Sequence, residues 1–94
     1  MNWSEDTLNK TKQFGIHGYP FSKCLLILDI EDEAAYASDF EESKSPIARA
    51  YAKGQAYAEF AFDNILFKKG TEGDLNAMRE YEKRKTMQKI RNAD

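Results

Sequence analysis

The chain has one histidine and one cysteine, His17 and Cys24, and they make the only pair that could form a base-activated nucleophile. A reactive thiol needs a nearby base or cation to favour the thiolate. His17 sits in the glycine-flanked stretch "GIHGYP". Cys24 opens the apolar run Cys24-Leu25-Leu26-Ile27-Leu28, where a free cysteine behaves as a small hydrophobe. One cysteine excludes an internal disulfide, and one cysteine with one histidine falls short of a zinc ligand set. The segment "GTEGD" has neither the glycine spacing nor the lysine of a phosphate-binding loop. No residue is assigned as catalytic, cofactor-binding or metal-ligating. The expectation is a protein that is not an enzyme and takes no small-molecule substrate.

Charge is the more informative chemistry. The net charge is −2. Seven acids and no base lie between Asp29 and Glu42: Asp29, Glu31, Asp32, Glu33, Asp39, Glu41 and Glu42. Six bases lie between Arg79 and Arg91 (Arg79, Lys83, Arg84, Lys85, Lys89, Arg91) against Glu80 and Glu82. Such polarity favours association between copies or an acidic partner for the C-terminal end; its plain alternative is two solvated helix faces.

These charges must be positioned by helices. Ser4 is a candidate cap for a short helix over about Glu5–Phe14, which Gly15, Gly18 and Pro20 should end. "PFSKCLLILDI" reads as a second helix or a buried strand, and its neighbours favour helix. "EDEAAYASDFEE" is a third helix. Ser45 and Pro46 are a cap and first residue for the longest one. There Ile47, Tyr51, Gly54, Ala58, Ala61 and Ile65 mark one face, widened by Ala48, Ala52, Phe62 and Leu66. A second apolar line, Tyr57, Phe60 and Phe67, gives that helix more than one apolar side and predicts a subunit interface. Gly70 or Gly73 can stop it, and Asp74, or Thr71 before it, can cap the next helix, seeded by Leu75, Met78 and Tyr81. The corner Gly70, Gly73, Asp74 therefore predicts an antiparallel helical hairpin. Past Tyr81 the chain is too polar to pack and should project or fray.

The expected fold is all-α: short helix-turn-helix-like N-terminal helices, then a long helix and an antiparallel C-terminal helix. Twelve aromatic residues supply its apolar area. Residues 1–94 read as a single helical domain, with a helix-turn-helix-like part (1–44), an oligomerisation hairpin (45–82) and a basic tail (83–94). "MNWSEDTLNK" lacks a basic segment followed by an apolar one, and no apolar run approaches a membrane span of about 18 residues. The expectation is a soluble, intracellular protein.

The stretch "SPIARAYAKGQAYAEFAFDNILFKKGTEGDLNAM" resembles the small subunits of phage terminases, the DNA-recognition components of viral genome-packaging motors. Ala50, Lys53 and Gly54 match the family's alanine/glycine stretch; Asp63, Leu66 and Phe67 its apolar segment; Gly73, Asp74 and Ala77 its hairpin closure. The likeness covers roughly Gly18–Tyr81. It implies a homo-oligomer in the host cytoplasm whose partners are double-stranded DNA and a large terminase subunit, with "PFSKCLLILDI" and "DEAAYASDFEE" as the helix-turn-helix. A recognition helix ordinarily carries cations and amides, whereas this one carries acids that repel phosphate. DNA contact is therefore expected at Lys10, Lys12 and Lys23, and at Lys83, Arg84, Lys85, Lys89 and Arg91. Two other readings fit the same residues: a phage-encoded protein-binding adaptor or inhibitor with an acidic surface, and a small helix-turn-helix transcriptional regulator.

Overall fold

The computed structural model describes residues 2–92, and the described residues form five helices and no strand. In order these are α1 (Glu5–His17), α2 (Phe21–Ile27), α3 (Glu33–Glu41), α4 (Pro46–Thr71) and α5 (Leu75–Asn92). The all-α class and the long helix followed by a C-terminal helix are as expected. The chain groups into two compact units that part at residues 58/59, inside α4.

In the N-terminal unit each boundary has a local cause. Ser4 accepts the Thr7 N–H at 3.1 Å and starts α1. Gly18, at φ +70°, ends it with paired bonds from Gly18 N to Gly15 O (3.2 Å) and Tyr19 N to Phe14 O (3.0 Å). Pro20 stands at the N-cap of α2, one residue before its first turn. Asp32 caps α3 through Ala35 N at 2.9 Å. Ser45 joins two helices: its hydroxyl accepts Ala48 N–H at 3.1 Å and donates to the Asp39 carbonyl at the end of α3.

Gly15 does not end α1; it lies inside it, buried. A Cβ there would overlap the Tyr51 carbonyl and stand 3.2 Å from Gln55 N. One at Gly54 would overlap the Lys12 carbonyl and stand 2.9 Å from Ile16 N. Two glycines, one from each helix, thus let the backbones of α1 and α4 touch. The helix tolerates Gly15, at a cost of about 1 kcal/mol in propensity, because the contact requires it.

The core of this unit is Phe14, Cys24, Leu28, Tyr36 and Ile47, ringed by partly buried Trp3, Phe21, Phe40 and Tyr51. Tyr36 is fully buried, and its hydroxyl lies 2.9 Å from Thr11 Oγ1, which itself donates to Thr7 O at 2.9 Å. Trp3 meets the Tyr36 ring edge-on at 5.6 Å and donates to Asp39 Oδ2 at 2.7 Å. The apolar run of α2 is not buried throughout. Cys24 and Leu28, one turn apart, face inward, while Leu26 is 87% exposed.

The C-terminal unit is the hairpin of the end of α4 with α5. Gly73, at φ +107°, makes the stop, with Gly73 N to Gly70 O at 3.1 Å and Asp74 N to Lys69 O at 3.0 Å. Asp74 Oδ1 then caps α5 through Ala77 N at 3.0 Å. Gly70 is not the stop. It lies in the last turn of α4, where a Cβ would come within 2.7 Å of Met78 Cε. Moving back along α4 and forward along α5, Gly70 meets Met78, Phe67 packs against Tyr81 with ring centroids 5.2 Å apart and the rings tilted by 53°, Asp63 pairs with Arg84, and Glu59 takes Gln88 Nε2 at 3.4 Å. The two helices are therefore antiparallel. α5 neither stops nor leaves α4 after Tyr81, because Arg84 and Gln88 carry the packing on with polar contacts.

Candidate functional site

Cys24 and His17 do not form a nucleophile. Cys24 is fully buried, and its sulfur contacts the Tyr19 carbonyl at 3.8 Å. Burial pushes its thiol above the ordinary value, against thiolate formation. His17 instead stacks on Tyr19 at 5.1 Å. Among the described residues no three His, Cys, Asp or Glu side chains group as a metal site. No described helix is long and apolar enough to cross a membrane.

The eight cations expected to meet DNA are dispersed. Lys10 pairs with Asp6 on its own helix at 3.1 Å. Lys23 lies over the Tyr19 ring at 4.0 Å. Arg84 is held by Asp63 and lies over Phe62 at 4.9 Å. Lys83, Lys85 and Lys89 are exposed on α5. The Arg91 side chain lies outside the described residues. Lys12 is the one that joins a larger cluster.

That cluster was not legible as a unit in the sequence. Lys12 of α1, Lys44 ahead of α4, and Arg49 and Lys53 of α4 line one open groove of about 460 Å³, together with Leu8, Asn9, Pro46 and Ala50. All four cations are exposed, and no carboxylate is among the lining residues. Arg49 and Lys53 are four residues apart, about 6 Å along the axis, and so share a face. Lys12 also stands 5.9 Å from the Tyr57 ring. The i,i+4 pair on α4 could have been read from spacing. Lys12 could join it only through the glycine contact between α1 and α4.

The apolar line expected at an interface is open. Tyr57 is 56%, Phe60 64% and Phe67 48% exposed. Phe62, Ile65, Leu75 and Met87 are exposed as well, while Leu66 and Ala77 are the buried apolar side chains of the hairpin. The inward face of α4 in this unit therefore runs through Asp63, Leu66 and Gly70. Ile65, expected on the buried face, lies off it because α5 packs against that line. The acidic helix α3 turns Glu33 and Glu41 to solvent, while Asp39 is occupied by Trp3.

The chain matches no known protein family, no curated protein and no solved structure.

Proposed function

We propose that this chain is a small-terminase-like subunit of a viral genome-packaging machinery: non-enzymatic, homo-oligomeric and DNA-associated, acting with a large terminase subunit in the host cytoplasm. The observation that carries the proposal is the hairpin. Among the described residues it exposes six large apolar side chains, Phe60, Phe62, Ile65, Phe67, Leu75 and Met87, beside two buried ones, Leu66 and Ala77. Two helices with so small a core gain little from burial alone, and most helical stability comes from tertiary packing. Phe60 and Phe67 lie on one flank of α4, and Phe62 and Ile65 on the opposite one. A second copy laid on the Phe60–Phe67 flank supplies that packing, and an oligomer gathers weak cationic contacts into avidity for DNA. Exposed Lys83, Lys85 and Lys89 of α5 are available for such contacts.

Mass in solution with and without double-stranded DNA tests this reading. A multi-subunit assembly that takes up DNA supports it; a monomer that ignores DNA overturns it. The exposed carboxylates of α3 favour a second reading, a protein-binding adaptor or inhibitor. A monomer that binds a basic protein surface at low salt is its signature.

A further inference from the structure

We propose that the groove between α1 and the start of α4 binds the phosphate backbone of nucleic acid, through Lys12, Lys44, Arg49 and Lys53. This rests on the DNA-associated reading above and adds to Lys12, already expected to meet DNA, the three cations Lys44, Arg49 and Lys53. Four exposed cations from three parts of the chain converge on one groove of about 460 Å³ without a carboxylate among its lining residues. Among the described residues the cations held in salt bridges are Lys10 and Arg84, and neither belongs to the groove. Phosphate neutralisation with counterion release is the main source of sequence-independent affinity, and it scales with the number of cations engaged.

The groove fits a phosphate backbone better than a protein. Its apolar members are small or partly covered (Leu8, Pro46, Ala50), and no aromatic residue lines it. A protein hot spot requires a well-packed pocket for a large anchor, usually aromatic or arginine. A phosphate backbone requires spaced cations and hydrogen-bond donors. Arg49 and Lys53 stand one helical turn apart, and Asn9 adds an amide. Because α1 and α4 touch at Gly15 and Gly54, backbone contact fixes where the Lys12 and Lys53 side chains leave their helices, and only the side chains themselves are left to be ordered on binding.

The test is fluorescence anisotropy of a labelled duplex of about 30 base pairs across a salt series. It compares the wild-type chain, Arg49→Gln/Lys53→Gln, and a comparator with Lys83, Lys85 and Lys89 changed to Gln. Helix content and mass in solution are measured for each, so that loss of folding or of assembly is visible. Losing two phosphate contacts should lower the slope of log affinity against log salt by about 1.8 per subunit engaged. Between 50 and 200 mM salt that makes the loss of affinity about twelvefold smaller for each such pair. The charge-conserving Arg49→Lys/Lys53→Arg variant should keep the wild-type slope. An unchanged slope in the groove variant, with the comparator losing its own, overturns the groove and leaves the DNA-associated reading standing. A wild-type chain that ignores the duplex at low salt overturns both. If it instead captures a synthetic peptide of residues 29–42 through Arg49 and Lys53, the groove docks protein and the proposal is wrong.

Discussion

Gly54→Ala puts the α1–α4 contact to a test of sign. In an open helix this change adds about 0.8–1.0 kcal/mol of helix propensity and stabilises. At Gly54 the new methyl would overlap the Lys12 carbonyl and lie 2.9 Å from both Ile16 N and Lys12 C. All three obstacles are backbone, so no side chain can swing aside and the two helices must separate. Overpacking of this kind costs about 1–3 kcal/mol, towards the upper end when only backbone can yield. Subtracting the propensity gain leaves a net loss of about 1–2 kcal/mol. For a chain of this size that lowers the thermal midpoint by about 5–15 °C, followed by circular dichroism at 222 nm. Ala52→Gly, at an exposed position of the same helix, gives the propensity baseline and should lose about 1 kcal/mol. A Gly54→Ala chain that melts at or above the wild-type midpoint would refute the close contact, since propensity would then be the only effect left.

Other consequences are equally direct. Phe60→Asp should leave the isolated chain folded, because Phe60 is exposed, yet reduce its mass in solution, since an unpaired charge in an interface costs about 3–5 kcal/mol; an unchanged mass moves the interface elsewhere. Burial raises Cys24, Tyr36 and Tyr51 above their ordinary values, so folding favours their protonated forms. Their contribution is complete below the unfolded-state values, about 8.5 for the thiol and about 10 for the phenols, and is lost as pH rises past them. Denaturation midpoints should therefore hold near neutrality and fall above about pH 9, and a rise there contradicts the burial. Cys24 should react with a thiol reagent only as fast as the chain opens, so added denaturant speeds the reaction; rapid modification of the native chain would show an accessible sulfur.

Caps and corners were legible because their signals are local. Ser4, Ser45 and Asp74 each bond a backbone N–H three residues ahead, a relation the sequence displays directly, whereas Asp32, read as part of the third helix, caps it in the same way. Gly15 was misread because its effect is not local. As a helix residue it looks like a breaker, and only the passage of α4 beside it explains its place. The same limit hid the basic groove, which Lys12 joins from a helix more than 30 residues before Lys44. In the hairpin the expected face held both Ile65 and Leu66, and only Leu66 turns inward because of where α5 lies, a choice between adjacent residues that apolar spacing cannot make. α5 outlasted its apolar seam because Arg84 and Gln88 use stems and hydrogen bonds to pack, which a count of apolar residues overlooks.

The hydroxyl pair at the centre of the N-terminal unit has a consequence for alignment. Apolar side chains pack almost as well after a small slide, so a core of Phe14, Leu28 and Ile47 alone would tolerate neighbouring arrangements of α1. Tyr36 removes that tolerance. Its hydroxyl is dry, and its partner is Thr11, one residue of one turn of α1. Sliding α1 by a turn leaves Thr11 content with its own helix's Thr7 carbonyl but strands the phenol, a penalty of about 1–3 kcal/mol. The tyrosine thus works as an indexing pin: it adds little to the depth of the native well and much to the height of the wells on either side.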